Sequence, residues 1–179
     1  YKEGFLLRFP KSTEPDVIPE FQDQPKLFEI YSRYKQWGSQ LGVTSSASLN
    51  QLIIDRKIDD FIDITETLQE KCIAKIADQI AARKKVRVVL IAGPSSSGKT
   101  TTSKKLALEL QAMGYRPKVI SLDCYYAGHE RTPKDENGNY DFECLEALDV
   151  PLLNQNLIDL FDGKEVVIPS YNFHDGTQF

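Results

Sequence analysis

Gly93-Pro94-Ser95-Ser96-Ser97-Gly98-Lys99-Thr100 satisfies the spacing G-x-x-x-x-G-K-[ST], and each part of that spacing has a task to perform on a polyphosphate. Glycines let the main chain wrap close to an anion, so that its N–H groups and the positive end of the following helix face the phosphates. Lys99 supplies a mobile positive charge for the β- and γ-phosphates, and Thr100 an oxygen for Mg²⁺. With Thr101 just inside the helix, the candidate nucleotide-binding set is Gly93, Pro94, Ser95, Ser96, Ser97, Gly98, Lys99, Thr100 and Thr101. Four fixed residue types at fixed offsets arise by accident in roughly 1% of chains this long, so the loop is read as a nucleotide site.

Asp123 closes the run "KVISLD". A carboxylate at the C-terminal tip of a strand beside the loop strand points into the crevice where open α/β sheets bind ligands. Two tasks fit it: holding Mg²⁺, directly or through water, or accepting the proton of an acceptor hydroxyl and aiming that oxygen at the γ-phosphorus. Beyond it, aromatics and carboxylates are mixed in "CYY" (124–126), "YDFE" (140–143) and "YNF" (171–173). Aromatic faces can sandwich a planar base and a carboxylate can take two sugar hydroxyls, a second pocket for which an ATPase has no use. A GTPase reading fares poorly. The one D-x-x-G, Asp135 to Gly138, lies in a polar loop, and no N-K-x-D base reader occurs.

These groups need a scaffold, and the pattern of apolar residues describes one. Prolines 10, 15, 19 and 25 make the first 25 residues an extended lead-in. Leu27, Tyr31, Tyr34 and Leu41 recur at helical spacing, with Phe28 and Trp37 beside them as core aromatics. A loop and a short helix capped by Ser48 follow, and then a long amphipathic helix over 59–84 with the stripe Phe61, Thr65, Leu68, Cys72, Ile76 and Ile80. From Val86 the pattern becomes strand (86–92), glycine loop, helix (98–113) stopped by Gly114, and strand (118–123), a βαβ unit. A polar stretch leads to a helix carrying Leu145, Leu148, Leu152, Leu153, Leu157 and Leu160, closed by Gly163, and "EVVIPSYNF" reads as a final short strand. The expected fold class is α/β, a P-loop NTPase-type parallel sheet flanked by helices and incomplete at its C-terminus, preceded by an α-helical segment. The expected division is 1–84 for the lead-in and helices and 85–179 for the P-loop core.

Composition narrows the classes. A net charge of −4 offers no basic field for nucleic acid, and the longest apolar run, Val88 to Ala92, cannot span a bilayer. Cys72, Cys124 and Cys144 lack metal or disulfide spacing and read as reduced thiols of a cytoplasmic protein. The opening "YKEGFLLRFP" has no initiator Met, which reads as an excised piece of a longer protein.

"GPSSSGKTT", "SLDCYY", "YDFECLEALD" and "GKEVVIPSYNF" together resemble the uridine kinase / phosphoribulokinase family of P-loop kinases, over about Val86 to Phe173. Within it, "TPKDENGNYDFECLEALDVPLLNQNL" looks most like bacterial-type uridine kinase-like proteins, in which a threonyl-tRNA-synthetase-like region precedes the kinase, and "GFLLRFP…DQPKLF" looks like the junction. The resemblance implies ATP and Mg²⁺ as cofactors and a nucleoside as acceptor, with no nucleic acid and no membrane partner, and it leaves a homo-oligomer open. It implies that Asp123 orients and deprotonates the 5′-hydroxyl near Mg²⁺ and that Tyr126 belongs to the substrate pocket. Phe142 packs on the nucleoside, Glu143 holds the ribose hydroxyls, and Tyr171 and Phe173 line the base site. The sequence departs from the pattern in having Glu rather than Asp at 143, Cys144-Leu145 in place of the following proline, and Gly176 where a His follows "YDF" by three residues, His174 standing at another offset. Those changes bear on uracil recognition more than on phosphoryl transfer. The chain also stops before the family's later acidic strand and arginine-bearing lid, which implies a fragment that binds nucleotide and turns over slowly. A uridine or cytidine kinase is the leading expectation. The alternative is a nucleotide-binding regulatory module or P-loop ATPase with little acceptor phosphorylation.

Overall fold

The computed structural model describes residues 7–179, so the first six residues of the lead-in and part of the "GFLLRFP" junction lie outside it. The chain divides into two compact units, Tyr1–Ile64 and Thr65–Phe179. Its helices are α1 (Pro25–Gln40), α2 (Ser46–Ile54), α3 (Ile58–Ala82), α4 (Lys99–Ala112) and α5 (Val150–Phe161), and a small hairpin pairs β1 (Tyr171–Asn172) with β2 (Thr177–Gln178).

In the first unit, Pro25 starts α1 at a position where its missing N–H costs nothing. The helix turns Phe28, Trp37 and Leu41 inward, and leaves Leu27, Tyr31 and Tyr34 exposed, contrary to the expected stripe. Trp37 meets Phe61 at 6.4 Å between ring centroids. The N-cap of α2 is Ser45 rather than Ser48. Ser48 is the third helical residue and completes a capping box with Ser45, each side chain serving the other's backbone N–H.

In the second unit, α3 and α4 share one apolar cluster of Ile73, Ala77, Leu106 and Leu110, with Ile80 and Ile91 packed against it. The inward face of α3 is wider than the expected stripe: Phe61, Thr65, Leu68, Cys72 and Ile80 are half-buried, Ile73 and Ala77 beside them are buried, and Ile76 alone of the stripe is exposed. Gly114 ends α4 as expected, Tyr115 N–H returning to the Leu110 carbonyl at 3.0 Å. The leucine-rich helix starts later than its periodicity suggests. Leu145–Ala147 is a 3-10 turn, Leu148 is extended, and α5 begins at Val150 with Pro151 in its first turn and Asp149 as N-cap, its side chain accepting from Leu152 N–H.

The parallel sheet is the main difference from expectation. Residues 86–92 and 118–121 carry no strand pairing among the described residues, and Val86, Val88, Val89 and Leu90 are exposed. Of "EVVIPSYNF" only Tyr171–Asn172 is a strand. An apolar run specifies the two faces a strand would bury, but its ladder comes from a neighbour, and parallel neighbours stand far off in sequence. Among the described residues neither run has a hydrogen-bonded strand neighbour.

Candidate functional site

The loop before α4 closes on itself. Gly98 is the N-cap at φ 84°, a left-handed conformation that favours glycine. At Gly93 a Cβ would come within 2.7 Å of Ser97 Oγ, so a side chain there would have to turn the Ser97 hydroxyl away. Ser96 is also left-handed, at φ 59°, a strained backbone of the kind found where a loop shapes itself to a ligand. Lys99 Nζ donates to the carbonyls of Gly93 and Pro94, both at 2.8 Å. An ammonium held, among the described residues, by two neutral carbonyls can exchange them for phosphate oxygens, which carry full charge. Thr100 and Thr101 are exposed on the first turn of α4.

Asp123 stands in a 3-10 turn, Leu122–Tyr125, rather than at a strand tip. Its N–H donates to Ser121 Oγ at 3.4 Å, and its side chain is exposed. The next residue but one anchors it. Tyr125 is fully buried, and its hydroxyl accepts from Asn156 Nδ2 of α5 at 3.1 Å; the same amide donates to the Val167 carbonyl at 3.3 Å. Asp149 N–H donates to the Tyr125 carbonyl at 2.7 Å and Ala127 N–H to the Ala147 carbonyl at 2.8 Å. The segment bearing Asp123 and Tyr126 is thereby tied to the start of α5.

Tyr126 is the hub of an aromatic cluster. Its ring lies 5.0 Å from Phe142, 5.5 Å from Tyr171 and 5.7 Å from Phe173, all edge-on, and Tyr171 lies 4.9 Å from Phe173. Edge-on packing at these distances is the favoured geometry for rings carrying a quadrupole. Tyr126 Oη donates to the Phe142 carbonyl at 3.2 Å. Burial pushes the Tyr126 hydroxyl up from its usual value, and the nearby carboxylates of Asp123 and then Glu143, followed by Tyr171, push it further. It therefore stays a protonated donor, with two carboxylates in its neighbourhood. Within "YDFE", Asp141 is used locally, accepting the Glu143 N–H at 2.9 Å, while Glu143 is exposed.

Of the residues singled out from sequence, Tyr126, Phe142, Tyr171 and Phe173 come together in one cluster, with Asp123 and Glu143 near its hub. No hydrogen bond, ion pair or ring contact among the described residues joins that cluster to the loop at 93–101. Among the described residues no group of three or more His, Cys, Asp or Glu could hold a metal ion. Mg²⁺ carried on a nucleotide needs only one or two protein oxygens, the rest being phosphate and water. The Thr100 hydroxyl and the Asp123 carboxylate are of that kind.

Sequence reasoning noted Tyr125 and Tyr140 within "CYY" and "YDFE" without a role of their own, and passed over Asn156 and His129. Tyr125 and Asn156 form the buried support, and an Asn within "VPLLNQNLIDLF" was the available signal. His129 and Tyr140 stack at 4.0 Å and 11° beside Phe142, which is 6.3 Å from His129. Gly176, where the resemblance expects His, has φ 63°, and a Cβ built there would overlap the His129 imidazole. No pattern in the sequence links positions 129 and 176. Among the described residues no helix is long and apolar enough to cross a membrane.

The model of the phosphoribulokinase / uridine kinase family matches residues 88–178. The chain is 37% identical over 94 residues to a uridine kinase of Schizosaccharomyces pombe, covering 51% of this chain and 20% of that protein. To a uridine kinase of Macrococcus caseolyticus it is 35% identical over 94 residues, covering 52% and 45%. To one of Staphylococcus aureus it is 33% identical over 95 residues, covering 53% and 45%. The chain thus spans less than half the length of each of these relatives. No solved structure matches it.

Proposed function

The chain belongs to the phosphoribulokinase / uridine kinase family, and from that premise we propose that it is the nucleotide-binding part of a phosphotransferase moving the γ-phosphate of ATP to the ribose 5′-hydroxyl of uridine or cytidine. The observation that carries the reading is the cluster around Tyr126, in which four aromatic rings and two carboxylates from three separate segments meet. An ATP hydrolase has no use for that arrangement, while a planar base and a ribose diol need just such groups.

In the proposed reaction the loop amides and Lys99 bind the β- and γ-phosphates, and Lys99 leaves the Gly93 and Pro94 carbonyls to do so. Asp123 accepts the proton of the 5′-hydroxyl as its oxygen bonds to the γ-phosphorus. The bond to the β–γ bridging oxygen breaks, and ADP departs with that electron pair. Tyr126, Phe142, Tyr171 and Phe173 hold the nucleoside, and Glu143 takes the ribose hydroxyls. Mg²⁺, held by Thr100 and Asp123, would neutralise charge on the transferring phosphoryl group. Residues 85–179 are read as the first part of the kinase core. Residues 1–84 are read as lead-in and helices, adjoining a synthetase-like region in a cytoplasmic protein.

The test is ADP release by the full-length protein with ATP, Mg²⁺ and a nucleoside panel. Release that depends on uridine or cytidine supports the reading. Release without acceptor dependence would make the loop an ATPase or sensor and return the aromatics to a packing role.

A further inference from the structure

Aromatic rings alone accept any flat ligand, because every base offers a π face. Discrimination between bases requires polar groups fixed at the ring edge, and three such groups stand in or beside the cluster with no assigned role. The first is His129. Its imidazole lies parallel to Tyr140 at 4.0 Å and 11°. On its other side is the Gly176 backbone, so close that a Cβ there would overlap the ring. Its backbone N–H, and not its ring, donates to the Gly176 carbonyl at 3.0 Å. The ring is half-buried and clamped, so its rotamer freedom is already spent before a ligand arrives.

The other two are Tyr171 Oη and Gln178 Nε2, both buried and both without a hydrogen-bond partner. Tyr171 is directly opposite Gln178 in the hairpin. Ser170 and Phe179 exchange both backbone hydrogen bonds, at 2.7 and 2.9 Å, which makes 171 and 178 a non-hydrogen-bonded pair whose side chains share a face at close range. Tyr171 is 9% exposed. A buried hydroxyl and a buried amide left unpaired side by side are costly in a folded protein and mark a place where a polar ligand completes the hydrogen bonding. Burial, and then Tyr140, raise the Tyr171 hydroxyl above its ordinary value, so it remains a donor.

We propose that His129, together with Gln178, is a specificity-determining residue of the acceptor site: the clamped imidazole and the unpaired amide read the polar edge of a pyrimidine base held among Phe142, Tyr171 and Phe173. The inference rests on the nucleoside-acceptor reading above. A clamped imidazole offers one donor and one acceptor in its neutral form, and the Gln178 amide offers donors. Uridine and cytidine differ at just such an edge, one presenting a carbonyl and N–H where the other presents an amino group and ring nitrogen.

The experiment is calorimetric titration of uridine and cytidine into the full-length protein, holding a non-hydrolysable ATP analogue, as wild type and as His129→Phe. Phe preserves the flat ring on Tyr140 and removes both nitrogens. The expected result is a loss of about tenfold in affinity for the preferred nucleoside, the size of one hydrogen bond, with discrimination between the two collapsing and affinity for the ATP analogue unchanged. Retained binding of the analogue reports an intact fold. If His129→Phe loses it, Gly176→Ala, whose Cβ displaces the imidazole, is read in its place and must show the same collapse. Nucleoside binding and discrimination equal to wild type overturn the role of His129 and leave the acceptor reading standing. A wild-type protein that binds the analogue and neither nucleoside overturns the acceptor reading, and this inference with it.

Discussion

Lys99 reaches back six residues to the Gly93 carbonyl, whereas Tyr126 meets a carbonyl sixteen residues away, at Phe142, and rings farther still at Tyr171 and Phe173. The two halves of the proposed site are thus built on different principles. The phosphate loop is local: two glycines, one strained serine and a helix start shape it within a single turn of chain. The acceptor cluster is assembled from three segments, held together by ring packing and by long-range hydrogen bonds such as Tyr126 Oη to the Phe142 carbonyl and His129 N–H to the Gly176 carbonyl. A local site fails when its chemistry is removed. An assembled site fails also when its supports are removed, because each segment must be ordered before any ring contact is made.

The sharpest way to break this comparison is Asp123→Asn, which keeps shape and removes the base. Losing a positioned proton acceptor lowers turnover by about 10²- to 10⁴-fold, and ATP affinity should change far less, since the loop amides and Lys99 hold the phosphates and Asn keeps an oxygen for Mg²⁺. Single-turnover ADP release beside nucleotide titration separates the two quantities. Unchanged transfer would remove Asp123 from the chemistry. Lys99→Ala is next in size. Removing one preorganised cation from the phosphates costs about 10²- to 10³-fold, with nucleoside binding unaltered, and weakened nucleoside affinity in that variant would show the two halves to be coupled.

The same division explains what could be read from the sequence. The loop and α4 were legible to within a residue at each end because their determinants are contiguous: Gly98, Lys99 and the apolar period through Leu110. Helices α1, α3 and α5 were legible as elements, while their most buried positions and starts were not. Ile73 and Ala77 rather than Ile76 are buried because the partner helix, not the periodicity, chooses the deepest positions. Pro151 and Asp149 override the leucine spacing at the start of α5. For 86–92 and 118–121 the apolar pattern gave strand character with no information on a ladder partner. In the acceptor cluster the aromatic types were visible, but the clamp between His129 and Gly176 joins residues that only folding brings together.

A support mutation tests the assembled half directly. Asn156→Ala leaves the fully buried Tyr125 hydroxyl without its donor and the Val167 carbonyl without one of its own. A buried polar group left unpaired costs about 1–3 kcal/mol. The urea midpoint should fall accordingly, and the acceptor KM should rise because Tyr125 adjoins Tyr126 in the chain. If stability falls and acceptor KM does not move, the cluster is less dependent on α5 than its hydrogen bonds suggest.

Tyr171→Phe has the smallest expected effect and separates stability from recognition. The hydroxyl it removes is buried and unpaired, so its loss should stabilise the ligand-free protein by about 1 kcal/mol, while the ring remains to pack on Tyr126 and Phe173. Nucleoside affinity should fall by a few-fold if that hydroxyl donates to the acceptor. The pH dependence gives an independent reading. Burial, then Tyr140, raise the hydroxyl above 10.0 in the folded chain, so the folded state holds this proton more tightly than the unfolded one does. That contribution is fully present below pH 10.0 and is lost as pH rises through the folded value. Thermal melts of wild type and Tyr171→Phe should therefore differ by a constant below pH 10.0 and diverge above it, the wild type falling faster. Parallel curves across that range would mean that the hydroxyl reaches water after all, and an orphan that reaches water has no need of a ligand.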